Sequence, residues 1–266
     1  MSEAMIREVR AEDVGALSSL WLRVFGDSPE FVARFFELLP ELGTGAAAFD
    51  GERLLGAAYL LTAQELVEAG RSRRCGYLYA VAVEEAARGR GLGGSLCRAA
   101  AALGAARGAE LLCTMPAEPG LFDWYEKILG LRCALRRERQ ELESRPGPAP
   151  AMLSAEEYGR FRELLLAGHP HMRLTPAGLR LEEANCLCFG GGLFALDGGI
   201  AAAYVHDGVT VVRELLGAPL ESAAALGAHL GTARVRLWRP APEGEPYLAF
   251  APAGLPADTV WDLAFD

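Results

Sequence analysis

Apolar and polar positions recur with two periods along this chain, and the changes of period mark its elements. Residues 5–10 read as a strand, and residues 11–25 carry Val14, Leu17, Leu20, Leu22 and Val24 within a helical stretch. A second helix is predicted over 28–39, with Ser28 as N-cap and Pro29 at its first position. Residues 46–50 and 54–62 pair around Asp50-Gly51, a strong turn dipeptide. A β-branched and aromatic run ending at Val83 follows, and a glycine-rich loop then opens into an alanine-rich helix near Gly91. A short buried strand at 109–114, a helix at 119–131 ended by Gly130 in the C′ position, and a strand at 131–142 complete the first half.

The pattern then restarts. Residues 143–150 hold three prolines and a glycine, the composition of a stiff linker. Ser154 makes a capping box with Glu157 and starts a helix that runs through Phe161 and Leu165. Three antiparallel strands are predicted at 192–196, 199–206 and 209–216, joined by Asp197-Gly198-Gly199 and Asp207-Gly208. A helix at 220–230 and strands at 235–239, 247–251 and 260–265 follow. The expectation is an α/β chain with a mixed sheet, divided into domains 1–143 and 154–266 by a linker at 144–153.

Composition narrows the class. With 266 residues, 51% of them hydrophobic, the chain can bury more than one core. No run of 18 apolar residues occurs and the N-terminus lacks a signal-peptide core, so a cytoplasmic protein with no membrane partner is expected. The net charge of −9 argues against nucleic acid and is compatible with a cationic acceptor. Cysteines 75, 97, 113, 133, 186 and 188 sit mostly inside strand or helix patterns, which suggests reduced, buried thiols. Cys186-Leu187-Cys188 lacks metal spacing and His169-Pro170-His171 stands alone, so no metal site is expected.

The chemistry lies in the loop after Val83. Gly89, Gly91, Gly93 and Gly94 have no Cβ, so the backbone can turn tightly and bring several N–H groups against phosphate oxygens. The helix that follows adds the positive end of its dipole, roughly 0.3–1 kcal/mol for an exposed anion. Arg88 and Arg90 supply cationic donors. A Walker loop needs a lysine after the glycines, and the only lysine in the chain is Lys127. A dinucleotide fingerprint is one glycine out of register. The run Arg88-Gly89-Arg90-Gly91-Leu92-Gly93 does fit R/Q-x-x-G-x-G/A, and it resembles the acetyl-CoA loop of the GNAT superfamily of acyltransferases. Residues 125–131, Tyr-Glu-Lys-Ile-Leu-Gly-Leu, resemble that superfamily's F-Y-x-K-x-G-F signature, with Trp124 and Leu131 in place of the phenylalanines. The order of elements in residues 5–142 is also the GNAT order.

The resemblance implies a GNAT-like fold and acetyl-CoA as co-substrate. The backbone of Val81, Ala82 and Val83 would pair with pantetheine, and Arg88, Gly89, Arg90, Gly91, Leu92, Gly93, Gly94 and Ser95 would hold the pyrophosphate. Tyr125 would protonate the departing thiolate. The implied reaction is direct transfer of an acetyl group to a primary amine on a small molecule or peptide. Relatives often carry a basic carboxylate on the strand before the loop. Here those positions are Tyr77 and Tyr79, expected by period-two alternation on the same face as Val81 and Val83. Water, Glu84 and the terminal carboxylate at Asp266 remain as alternatives for the base. Glu84 and Glu85 also read as supports of the loop.

The second half repeats the order of elements, but the loop 217–219 before its helix is Gly-Ala-Pro, with a proline where a phosphate-binding amide would be needed. That is a degenerate GNAT-like half, similar to the tandem layout of mycothiol synthase and the enhanced intracellular survival acetyltransferases. In the latter the terminal carboxylate is the base. A non-catalytic acyl-CoA-binding or regulatory module uses the same loop, and transfer to a hydroxyl or thiol leaves every one of these residues unchanged.

Overall fold

The computed structural model describes residues 4–251, 255–256 and 258–263. By contact the chain divides into two compact units. The first comprises Met1–Leu66, Arg71–Ala134 and Leu248–Leu255, and the second comprises Val67–Gly70, Leu135–Tyr247 and Pro256–Asp266. The helices are α1 (Val14–Phe25), α2 (Pro29–Leu42), α3 (Leu92–Ala106), α4 (Leu121–Leu129), α5 (Ala155–Leu165), α6 (Pro176–Cys188) and α7 (Leu220–His229). The strands are β1 (Met5–Glu8), β2 (Gly43–Asp50), β3 (Arg53–Glu68), β4 (Arg71–Val83), β5 (Leu111–Thr114), β6 (Arg132–Glu143), β7 (Ala151–Leu153), β8 (His171–Leu174), β9 (Gly192–Leu196), β10 (Gly199–His206), β11 (Val209–Leu216), β12 (Arg234–Pro240) and β13 (Glu245–Ala251).

In the first unit the strands run in the order β1, β2, β3, β4, β5 and the end of β13. β1 and β3 flank β2 antiparallel, whereas β4 and β5 are parallel and joined through α3. Ser28 Oγ accepts the Phe31 amide at 3.1 Å, so α2 begins where the capping pattern places it; it continues past Pro40 to Leu42. The β3–β4 turn is a hairpin that the pattern alone does not mark: Ala69 (φ +48°) and Gly70 (φ +75°) form it without an Asn-Gly or Asp-Gly signal.

Two clusters pack on the β4 strand. One is aromatic: Trp21 of α1 lies 4.6–6.4 Å, ring to ring, from Phe31, Phe35 and Phe36 of α2, Tyr59 of β3 and Tyr79 of β4. The other contains Leu78, Leu96, Cys97, Ala100, Tyr125 and Leu131, and Val81 and Val83 pack against it. Simple alternation, which would put Tyr77, Tyr79, Val81 and Val83 on one face, is therefore broken. Tyr77 and Tyr79 lie together toward the aromatic cluster, while Val81 and Val83 join Leu78 beside α3 and α4. The cause is Ala80, whose φ of +46° inserts a left-handed residue and flips every side chain after it.

The second unit has the order β6, β12, β11, β10, β9, β7. Only β11 and β12 are parallel; the other neighbours are antiparallel. Its core gathers Phe194, Ala201, Ala203, Val212, Leu226, Val235 and Leu237. α6 and β8 are elements the pattern did not announce. Thr175 caps α6 and Pro176 opens it, but its buried residues include Leu179, Leu181, Glu182 and Cys186, spread beyond a single apolar stripe. The proline-rich residues 144–150 carry no regular structure, yet the amides of Ser144 and Arg145 donate to Ala233 and Ala224 at 3.0 and 3.1 Å.

The strand expected over 260–265 is absent up to Leu263. Val260 makes one isolated parallel bridge to His171, and residues 264–266, with the Asp266 carboxylate, lie outside the described residues. All six cysteines are free. Four are buried as expected, but Cys133 and Cys188 are exposed.

Candidate active site

The outer half of β4 has an open edge. The Glu84 amide donates to Leu55 O at 2.8 Å, so residue 84 faces β3, and alternation turns the N–H and C=O groups of Val81 and Val83 to the other side. On that side β5 accompanies β4 only through Cys75, Gly76 and Tyr77, the last pair being Tyr77 with Cys113. Beyond it the strands part at Ala80, where a left-handed alanine costs about 1–2 kcal/mol. Thr114, the last residue of β5, closes the split at its inner end: its hydroxyl donates to Leu78 O at 2.9 Å and is buried. Against β3 the approach is tight. A Cβ on Gly56 would lie 2.7 Å from Ala82 O.

The loop follows directly. A short 3-10 turn at Glu85–Ala87 leads through Gly89 (φ +76°) to Gly91 (φ +75°), which is the N-cap of α3. No side chain caps this helix, and its first intrahelical amide bond runs from Ser95 to Gly91 O at 3.1 Å. The amides of Leu92, Gly93 and Gly94 are thus left without helical acceptors, the arrangement that receives an anion. Ser95 differs: its amide is used within the helix, and its hydroxyl accepts from Arg98 Nη2 at 3.3 Å. Arg90 is exposed. Arg88 is exposed too, but its Nε donates to Val83 O at 3.1 Å.

Tyr125 comes from α4, the helix ended by Gly130 at φ +70°. Four residues separate it from Gly130, one more than in Y-x-K-x-G, and the extra residue turns the ring by about 100° around the helix. The ring is 6% exposed, 4.8 Å from Trp124, in the cluster with Leu96 and Cys97. Burial pushes its phenol well above the ordinary tyrosine range, with nearby Cys97 adding to the effect, while hydrogen bonding to Thr114 acts the other way. Tyr125 and Thr114 therefore meet at the point where β4 and β5 separate.

The remaining sequence candidates are placed less centrally. Glu84 forms an ion pair with Arg23 of α1, and Glu85 begins the exposed turn. Thr114 and Gly56 are the residues that sequence reading missed. Neither a threonine at a strand end nor a glycine in a strand carries a local signal, since the role of each depends on β4 across the sheet. Among the described residues no group of three His, Cys, Asp or Glu side chains could hold a metal. No helix among them is long and apolar enough to cross a membrane.

Comparison with known proteins agrees with this geometry. Residues 5–127 match the acetyltransferase (GNAT) domain family. No curated protein matches the chain. Among solved structures it is similar to a GCN5-related N-acetyltransferase from Kribbella flavida, with a TM-score of 0.67 at 18% identity over 93% of this chain and 71% of that one. It is similar to Eis1 from Mycobacterium abscessus, with 0.61 at 17% over 92% and 73%. A GCN5-related N-acetyltransferase from Anabaena variabilis gives 0.63 at 13% over 92% and 72%. At these identities the likeness shows the fold, and it extends over both halves of the chain. The family match falls on the unit that carries the open strand edge and the uncapped helix, so residues 5–127 form an acetyltransferase domain of the GNAT family.

Proposed function

We propose that this chain transfers the acetyl group of acetyl-CoA to a primary amine, in one step and without a covalent enzyme intermediate. The observation that carries the reading is the open edge of β4 beside the uncapped start of α3. Pantetheine would add to Val81 and Val83 as an extra strand, and the amides of residues 92–94 would receive the pyrophosphate. The thioester would then lie near the split closed by Thr114, within reach of the Tyr125 hydroxyl. The amine nitrogen attacks the thioester carbon, the carbon–sulfur bond breaks, and the thiolate takes the Tyr125 proton. The amine's proton leaves to solvent.

A phenol with a raised pKa is a weak acid in water, but a thiolate formed in the same surroundings is equally disfavoured. Cys97 shows how strongly: burial pushes its thiol up to about 12. Donor and acceptor stay matched because both are desolvated. An amine acceptor is supported by the net charge of −9 and by the description of the Kribbella flavida and Anabaena variabilis proteins as N-acetyltransferases. Arg23 holds Glu84 at the loop, where it supports the turn.

Calorimetric titration with acetyl-CoA tests the site, beside a variant carrying Gly91→Glu and Gly93→Glu. Micromolar binding abolished in the variant is expected, and no binding to the unaltered chain would refute the site. For the acid, Tyr125→Phe should lower kcat on an amine panel about 100-fold or more with the acetyl-CoA Kd within about twofold. An unchanged kcat would exclude the role. Thiol release with hydroxyl or thiol acceptors but with no amine would refute the choice of acceptor.

A further inference from the structure

We propose that the second unit binds one monatomic anion, chloride, in the cavity walled by Arg137 of β6, Trp238 of β12, Tyr247 of β13, and Trp261 and Asp262. The site is independent of the acetyl-CoA reading. β6 lies between β12 and β13 in the sheet, and the Arg137 guanidinium stands over the Trp238 ring at 4.1 Å and over the Tyr247 ring at 4.9 Å. The rings stack on its faces and fix its plane, which leaves the N–H donors around the rim to find an acceptor. Among the described residues no carbonyl or carboxylate takes them.

Charge and volume both select a single small anion. Arg213, also on the wall, is paired with Glu182 at 2.5 Å; Arg162 is paired with Glu214 at 3.0 Å; and Arg239, exposed at the rim, stands opposite Glu138 in the β6–β12 ladder. Those charges cancel two by two. Arg137 and Asp262 are left, and among the described residues no ion pair joins them. Burial and the charge of Glu214 push the Asp262 carboxyl up to about 7, against the pull of Arg162 and Arg137. Once protonated, it leaves the cluster one positive charge in excess and becomes a hydroxyl donor itself. The cavity, about 10 Å³, has room for one water-sized particle, which suits a halide ion and excludes phosphate, sulfate and carboxylates. Chloride and the Asp262 carboxylate therefore compete for Arg137. Binding takes up a proton, and affinity falls as the pH rises through 7 and Asp262 becomes the counter-ion.

The test compares thermal unfolding of the full chain in sodium chloride and in sodium gluconate, each at about 100 mM, so that ionic strength is constant. For a Kd of about 10 mM, chloride should raise Tm by about 3 °C at about pH 6 and by about 1 °C at about pH 8. Asp262→Asn, neutral throughout, should show the larger gain at both pH values, and Arg137→Gln should show none at either. Each protein is compared with itself in two salts, so a change in intrinsic stability drops out. In crystals soaked in bromide, an anomalous-scattering peak is expected within about 3.5 Å of the Arg137 guanidinium. Equal Tm in the two salts overturns the site, as does a chloride gain that survives Arg137→Gln or a cavity that bromide does not enter. An Asp262→Asn protein that keeps the pH dependence of the unaltered chain overturns the competition.

Discussion

Replacing Gly56 by alanine tests whether the position of β4 matters to coenzyme binding. Gly56 lies in β3 with ordinary strand dihedrals, so by conformational entropy alone an alanine there would stabilise the fold by about 0.5–1 kcal/mol. Packing reverses the sign. The added methyl would stand 2.7 Å from Ala82 O, 3.0 Å from Leu96 Cδ1 and 3.3 Å from Val83 Cα. The leucine can rotate, but the carbonyl cannot move alone, and relieving the contact requires the Ala82–Val83 backbone to retreat by about half an ångström. Overpacking of this kind costs about 1–3 kcal/mol, so the net loss should be about 1–2 kcal/mol by urea denaturation. The same displacement moves the edge offered to pantetheine and should raise the acetyl-CoA Kd about tenfold by calorimetry. Gly15→Ala is the control: nothing lies within 4 Å of its Cβ position in α1, and it should stabilise without changing the Kd. A Gly56→Ala protein as stable as its parent, with an unchanged Kd, would refute the reasoning.

Two further predictions concern the second unit. Glu214 accepts from Tyr158 Oη at 2.8 Å and from Arg162 Nε at 3.0 Å, all buried, so Glu214→Ala strands a charged guanidinium and should cost about 3–5 kcal/mol in urea; less than about 1 kcal/mol would refute the pair. The Asp262 carboxyl is pushed up to about 7, chiefly by burial and also by Glu214, with Arg162 and Arg137 opposing. Its folded form holds a proton that the unfolded chain releases near pH 4, so its stabilisation is complete below pH 4 and is lost as the pH rises through 7. Asp262→Asn should therefore gain on the unaltered chain between pH 4 and 7.5, by about 1–2 kcal/mol given the partial exposure of Asp262, and parallel stability profiles would refute it.

Local chemistry was legible where it is local. The N-cap at Ser28, the capping box at Ser154, the turn at Asp50-Gly51 and the C′ glycine at Gly130 are each set by one or two side chains, and each could be read directly. The glycine loop was legible for the same reason: Gly89 and Gly91 occupy positive φ, which few other residues tolerate. What escaped depends on partners far along the chain. An alanine at position 80 gives no sign that it will sit at φ +46°, so the faces of Tyr77 and Tyr79 were assigned with those of Val81 and Val83. α6 escaped because it is buried on more than one side and shows no amphipathic stripe. Arg88 was read as a phosphate ligand, and its contact with Val83 O becomes visible only once the loop folds back toward the strand.

The two units share a topology, and a difference within it supports placing the proposed coenzyme site in the first. In each, an antiparallel run ends in a strand with a parallel partner, β4 with β5 and β11 with β12, and the parallel pairing stops early, at Tyr77 with Cys113 and at Val212 with Leu237. Each first strand is then irregular, at Ala80 and at the register shift opposite Ala202 and Ala203 that sets Arg213 apart. Backbone groups left open at such a split must find partners. The first unit leaves the Val81–Val83 edge to an exposed arginine. In the second, the β11 residues past the split carry buried ion pairs, Arg213 with Glu182 at 2.5 Å and Glu214 with Arg162 at 3.0 Å. This unit also begins α7 after Pro219, which brings no amide, and lays the segment holding Gly147 against Ala225. Displacing the paired side chains would leave buried charges unpaired, at about 3–5 kcal/mol for each partner lost, whereas the arginine at the first split makes a single exposed hydrogen bond. That difference in free energy favours the first unit for the proposed coenzyme site and gives the buried charges of the second a structural role.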